Sequence, residues 1–183
     1  DDRRDVRERL FELQDVPEVS TPEPVHRLIG VAHDADVVVA SGEHQDDLEL
    51  RFPLLYRDLI ETYAARQGLD AGWVYGVVRQ ESAFVVDARS EAGALGLMQL
   101  MPATGRLTGR RLNIAAESTH SILDIQNNLR LGAGYLKEML DRYRGNQVLA
   151  TASYNAGPNR ITEWLENGEA LDAEIWVETI PYN

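Results

Sequence analysis

Apolar residues recur at helical spacing along almost the whole of this chain. In DVRERLFEL, Val6, Leu10 and Leu13 follow one another at intervals of four and three, and Pro22 and Pro24 open a second series through Val25, Leu28, Ile29 and Ala32. Both read as short paired helices. Near Arg51 to Pro53 the character changes, and LLYRDLIETYAARQGL predicts a longer amphipathic helix on which Tyr56, Leu59, Ile60 and Tyr63 share a face before Gly68 stops it. A domain boundary is expected near residue 50.

Further on, AGWVYGVVRQESAF predicts another helix. At about 100° per residue, Val74, Val77, Val78 and Glu81 fall on one face, so an acid continues an apolar stripe. DIQNNLRLGAGYLKEMLDRYRG is the clearest helix of the chain, with Asp124 as its cap and Ile125, Leu129, Gly132, Leu136, Met139 and Tyr143 as its stripe. Gly132 and Gly134 lower helix propensity there, which implies a compensating close contact. NQVLATASYNAG predicts a helix closed by Gly157, and Pro158 opens the next, which runs to Gly168. Only SEAGALGLMQ combines weak helical period with turn glycines, and any small β-ribbon is expected there. The fold class is therefore mainly α.

At 183 residues and 44% hydrophobic content, the chain can bury a real core. Its net charge of −12 is uneven: residues 1–55 hold 6 basic and 14 acidic side chains, against 12 and 16 in residues 56–183. Such a charge opposes binding to phosphate backbones or anionic membrane surfaces, and no basic run with interleaved aromatics offsets it. No apolar window is long enough to span a bilayer, and DDRRDVRERL is neither a signal peptide nor a lipidation site. The abrupt start in charged helical sequence and the abrupt end at IPYN lead us to expect an excised or processed fragment. With no cysteine there is no disulfide, thiol nucleophile or thiolate metal site.

Other chemistries lack their patterns. His26, His33, His44 and His120 are scattered without ligand spacing, and neither HExxH nor an EF-hand occurs. GAGYLK lacks the third glycine and preceding strand of a dinucleotide site, ATGRLTGRR lacks the lysine and hydroxyl of a P-loop, and GxSxG is missing.

Glu81 on an apolar stripe is a candidate general acid, because desolvation penalises the carboxylate and keeps the proton on near neutral pH. The competing reading is a helix-terminal glutamate that emerges into solvent or pairs with an arginine. In SEAGALGLMQLMP, Gly93 and Gly96 permit close backbone approach, Ser90 and Gln99 offer hydrogen bonds, and Met98 and Met101 offer soft apolar walls. That mixture suits a sugar chain; the plain alternative is a structural turn. Tyr154 and Asn155 stand at a helix end where side chains can project into a cleft or simply form a cap.

RQESAF, GALGLMQLMPATG and SYNAGPNRITEWL, in this order, resemble the catalytic domain of the soluble lytic transglycosylases, bacterial enzymes with a goose-lysozyme-like fold that cleave peptidoglycan. The resemblance covers residues 48–183; residues 1–47 resemble the last helices of the α-superhelical region that precedes this domain in large members. It implies Glu81 as catalytic acid and base, Ser82 and Gly96 as supporting residues, and Ser90, Met98, Gln99, Met101, Tyr154 and Asn155 as substrate contacts. Ser153 replaces the alanine of the family's AYNAG motif, with little effect expected. Members continue past the IP segment with a glutamate and a tyrosine-bearing helix, so the chain is expected to be incomplete at its C-terminal end.

The activity implied is cleavage of the β-1,4 bond between N-acetylmuramic acid and N-acetylglucosamine with formation of 1,6-anhydromuramoyl products, without cofactor or metal. Glycan strands of peptidoglycan are the expected partner, cell-wall enzyme complexes a further one, and the periplasm the expected location. A lysozyme-type hydrolase on the same fold, a non-catalytic peptidoglycan-binding module and a structural helical scaffold are the alternatives.

Overall fold

The computed structural model describes residues 54–167, 173–178 and 180. The helices expected before residue 50, the boundary dividing 1–47 from 48–183 and the stop at Gly168 fall outside these residues. Among the described residues the chain forms eight helices: α1 (Arg57–Gln67), α2 (Ala71–Ser82), α3 (Pro102–Leu112), α4 (Thr119–Leu123), α5 (Ile125–Arg142), α6 (Gln147–Ala156), α7 (Pro158–Asn167) and α8 (Ala173–Glu178).

Local sequence sets most of the boundaries. Gly68 ends α1 in the left-handed region, with φ 64°, its N–H donating to the carbonyls of Ala64 and Ala65. Asp70 caps α2 by accepting from the Trp73 N–H at 2.8 Å, and Asp124 caps α5 by accepting from that of Asn127 at 2.9 Å. Asn146 does the same for α6 through Leu149, and Pro102 occupies the first turn of α3, where its missing N–H costs nothing.

The centre of the molecule is α5, against which α1, α3, α4 and α6 pack. Its apolar stripe is wider than the expected one. Leu129, Gly132, Leu136 and Met139 are buried as the period requires, and so are Asn128, Leu131, Ala133 and Gly134, because neighbours cover the helix on several sides. One core cluster joins Ile60, Tyr63 and Ala64 of α1 with Val74, Val77 and Val78 of α2, Leu97 and Met98, and Leu129, Ala133 and Leu136 of α5. A second joins Leu95, Leu100, Ile114, Ala116 and Ile122 to Leu131 on another side of α5.

The close contacts implied by the two helix glycines are present. A Cβ on Gly132 would lie 2.7 Å from the Met98 Cβ, and one on Gly134 would strike Leu112 of α3. The expected β-ribbon is reduced to isolated antiparallel bridges, Arg89 with Leu95 and Leu95 with Leu100, and among the described residues no strand forms. The reason is local: Gly93, Gly96 and Gln99 all take positive φ, so the 88–100 segment turns back on itself before a ladder can extend.

Candidate active site

The last turn of α2 carries Glu81 and Ser82, and the chain then bends sharply through Ala83 (φ 46°) and Phe84 (φ 65°). Left-handed backbone at two successive residues with side chains costs roughly 1–2 kcal/mol each. Phe84 is held there by burial at 3% exposure and by a tilted ring contact with Tyr75 at 6.3 Å. The bend redirects the chain into the 88–100 loop, and Ser82 fastens that loop to α2: its hydroxyl is shared between the Val78 carbonyl at 3.1 Å and the Leu97 carbonyl at 2.9 Å.

Glu81 is half-buried and lines a cleft of about 1080 Å³. The α2 wall is Trp73, Gly76, Val77 and Gln80; the opposite wall is α6, from Gln147, Val148, Thr151 and Ala152 to the expected site residues Tyr154 and Asn155 and to Ala156; Arg160 and Trp164 of α7 and Val177 and Ile180 also line it. Two side-chain bridges join the walls. Trp73 Nε1 donates to Thr151 Oγ1 at 3.0 Å, and the Asn155 side chain hydrogen-bonds the Glu81 carboxylate.

Among the described residues that line the cleft, Glu81 is the sole carboxylate. Desolvation raises its pKa above the usual carboxylate range, and the Asn155 hydrogen bond pulls the other way. The stripe of Val74, Val77 and Val78 therefore does what its period implied: it carries the acid into a partly dry position.

Tyr154, beside Asn155, donates to the Met98 carbonyl at 2.7 Å, and its ring packs on Tyr135 at 5.3 Å. Desolvation, the nearby Glu81 charge and Tyr135 hold its hydroxyl protonated far above the usual range. One turn of α6 thus touches the acid with Asn155 and the loop with Tyr154.

The structure distributes the other expected site residues unevenly. Met98 is completely buried, packed on Gly132, so its side chain is a core element and cannot form an apolar wall; its backbone is what meets Tyr154. Met101, at 42% exposure, remains available as that wall, just ahead of α3. Gln99 sits at φ 43° with its amide nitrogen donating to the carbonyls of Gly96 at 2.9 Å and Ala88 at 3.2 Å. Ser90 is exposed and closes the 90–94 turn, its hydroxyl accepting from the Ala94 N–H at 3.0 Å. Gly96 has φ 74°, and a Cβ there would lie 2.8 Å from Asn128 Cγ. Ser90, Gln99 and Met101 belong to the loop and do not line the cleft that Glu81 shares with α6.

Sequence reasoning missed the Trp73, Gln80, Arg160 and Trp164 walls, although Trp73, Gly76, Val77 and Gln80 follow a helical period that could have marked them as one face.

The described residues thus form a helical domain with a half-buried glutamate at a cleft and a glycine-turned loop tied beside it. Residues 58–177 match the Transglycosylase SLT domain family, and the chain belongs to it. The soluble lytic murein transglycosylase of Escherichia coli strain K12 is 37% identical over 145 residues, which are 78% of this chain and 22% of that protein. The putative soluble lytic murein transglycosylase of Haemophilus influenzae is 32% identical over 153 residues, 83% of this chain and 25% of the relative.

In three dimensions, an inactive mutant of the lytic transglycosylase Slt from Pseudomonas aeruginosa superimposes with a TM-score of 0.75 at 40% identity, over 85% of this chain and 26% of that one. The 70 kDa soluble lytic transglycosylase of E. coli does so with a TM-score of 0.76 at 34% identity, over 85% and 25%. A 70 kDa soluble lytic transglycosylase that also superimposes, with a TM-score of 0.74 at 33% identity, has been solved in complex with bulgecin A. The chain spans about a quarter of the length of these relatives. Among the described residues no helix is long and apolar enough to cross a membrane.

Proposed function

We propose that this domain is a peptidoglycan lytic transglycosylase in which Glu81 serves successively as acid and base. The observation that carries the reading is a half-buried cleft carboxyl whose protonated form is favoured by desolvation, with no second carboxylate among the described residues that line the cleft. Glycosidases that deliver water or form a glycosyl-enzyme use a pair of carboxylates. One carboxyl suffices when the substrate supplies its own nucleophile.

In this scheme Glu81 gives its proton to the oxygen linking N-acetylmuramic acid C1 to N-acetylglucosamine. The C1–O bond breaks with its electron pair on that oxygen, and the substrate's own N-acetyl carbonyl stabilises the cation left at C1. Glu81, now a carboxylate steadied by Asn155, takes the proton from the muramoyl C6 hydroxyl. O6 closes on C1 to give the 1,6-anhydro ring, and Glu81 is restored to its acid form. The glycan chain lies along Met101, Gln99 and Ser90 with the scissile bond at Glu81. The names of the relatives support this substrate class, and the bulgecin A complex of one of them supports a ligand-accepting site in this fold. The setting is the bacterial cell wall, in the periplasm, with cell-wall enzyme assemblies as partners.

Mass spectrometry of the products from purified peptidoglycan tests the proposal, with Glu81→Gln run in parallel. Anhydro-muropeptides are expected from the parent and none from the variant. Reducing-end muropeptides would make the domain a hydrolase, and intact glycan with measurable binding would make it a binding module.

A further inference from the structure

The functional reading so far assigns no role to Asn128, yet it is the most heavily engaged buried side chain near the site. It lies on α5, completely buried, one helical turn before Gly132. Its Oδ1 accepts from the Met98 N–H at 2.8 Å, and its Nδ2 donates to the carbonyls of Leu95 at 2.9 Å and Ile122 at 3.0 Å. The amide thus pairs with two backbone groups of the loop and one of α4. The partners also fix its orientation: two carbonyls require the nitrogen, and the N–H requires the oxygen.

The surroundings are shaped around this amide. Gly96 leaves the space that Asn128 fills, and Gly132 leaves the space that Met98 fills. Asn128 and Tyr154 take hold of the same residue from two helices, Asn128 at the Met98 N–H and Tyr154 at the Met98 carbonyl. Gln99, the next residue, is thereby held in a left-handed conformation that its type rarely adopts. Glu81 has a partner of its own in Asn155.

We infer that Asn128 is a positioning residue, holding the Met98–Gln99 backbone so that the loop presents Gln99 and Met101 to the glycan at a fixed place relative to Glu81. The inference rests on the glycan-cleaving reading given above. An ordinary core amide would serve only stability. A positioning residue also sets substrate affinity, because the groups it holds meet the substrate, while the reacting carboxyl has a side-chain partner of its own in Asn155.

Kinetics on short uncrosslinked glycan strands separate the two roles. Asn128→Ala is expected to raise KM by about tenfold while kcat changes by less than about threefold; Glu81→Gln loses kcat instead. A purely structural defect lowers the folded fraction, which reduces apparent kcat and leaves KM in place. Ile60→Ala, in the core at α1, supplies that comparison.

Amide hydrogen exchange on the unliganded protein is the second arm. Asn128→Ala should speed exchange selectively at residues 95–100 and leave the middle of α5 protected. Gly132→Ala pushes on Met98 from the other side with Asn128 intact, and should raise KM in the same direction. An unchanged KM in both variants, or uniform loss of protection across the domain, would overturn the inference. Should the parent protein neither cut nor bind glycan, the transglycosylase reading fails, and the exchange pattern still decides whether Asn128 holds the loop.

Discussion

The behaviour of Glu81 follows from the opposition of two local effects. Burial raises its pKa and the Asn155 amide restrains the rise. On the mechanism proposed above, the free enzyme begins with Glu81 protonated, so kcat/KM is expected to decline as pH climbs through that pKa. Asn155→Ala removes the group that favours the carboxylate, and a pH–rate profile should show the alkaline limb displaced to higher pH; a limb that stays or moves down would contradict the assignment. The same shift has a stability sign. A folded pKa above the unfolded one contributes stability that is complete below the usual value of 4.5 and is lost as pH rises through the folded pKa. Glu81→Gln should therefore have a higher Tm than the parent at neutral pH, with the difference shrinking towards pH 4, as thermal melts across that range would register. Ser153 provides a quieter prediction. Its hydroxyl is completely buried but satisfied, donating to Met139 Sδ at 3.0 Å with Tyr143 OH 3.5 Å away, which explains how serine fits where the family motif has alanine. Ser153→Ala should change unfolding free energy by less than about 1 kcal/mol in denaturant titration.

At the scale of elements, caps and glycines carry the information. Gly132→Ala gains helix propensity of about 1 kcal/mol but forces Met98 to move at its Cβ, where the side chain has no freedom to swing aside. Overpacking of this kind typically costs about 1–3 kcal/mol, so chemical denaturation should report a net loss of stability. A net gain would mean the loop yields easily. These elements were largely legible in the sequence because their signals are short-range: the 3.6 period of α1, α2 and α5, the Asp124 cap and the Gly68 and Gly157 stops all act within a turn of their own residue. What was not legible depends on partners distant in the chain. Met98 reads as a wall until Gly132 is seen to receive it, and the ribbon reads as plausible until three positive-φ residues are seen to fold the segment on itself. Asn128 lies beside the predicted stripe, and only the packing around α5 reveals it as buried.

For the whole molecule, the two core clusters share α5, with Leu129, Ala133 and Leu136 in one and Leu131 in the other. Neither cluster can dissolve while the helix keeps its place in the other. Ile122→Ala, which opens a cavity in the second cluster alone, is expected to cost about 2–5 kcal/mol. It should nevertheless leave one transition, coincident by circular dichroism and by tryptophan fluorescence, since Trp73 stands outside that cluster. Two separated transitions would show the clusters to be independent. The turn of α6 that holds Tyr154 and Asn155 has a comparable reach. Neighbouring residues on a helix are fixed to each other within about 1.5 Å of rise, and these two grip the loop and the acid respectively. Displacement of α6 is then common-mode: both jaws of the site travel together and their separation is preserved. The spacing between loop and acid has a single mechanical datum, so thermal vibration of the domain blurs where the pair is without blurring the distance between them.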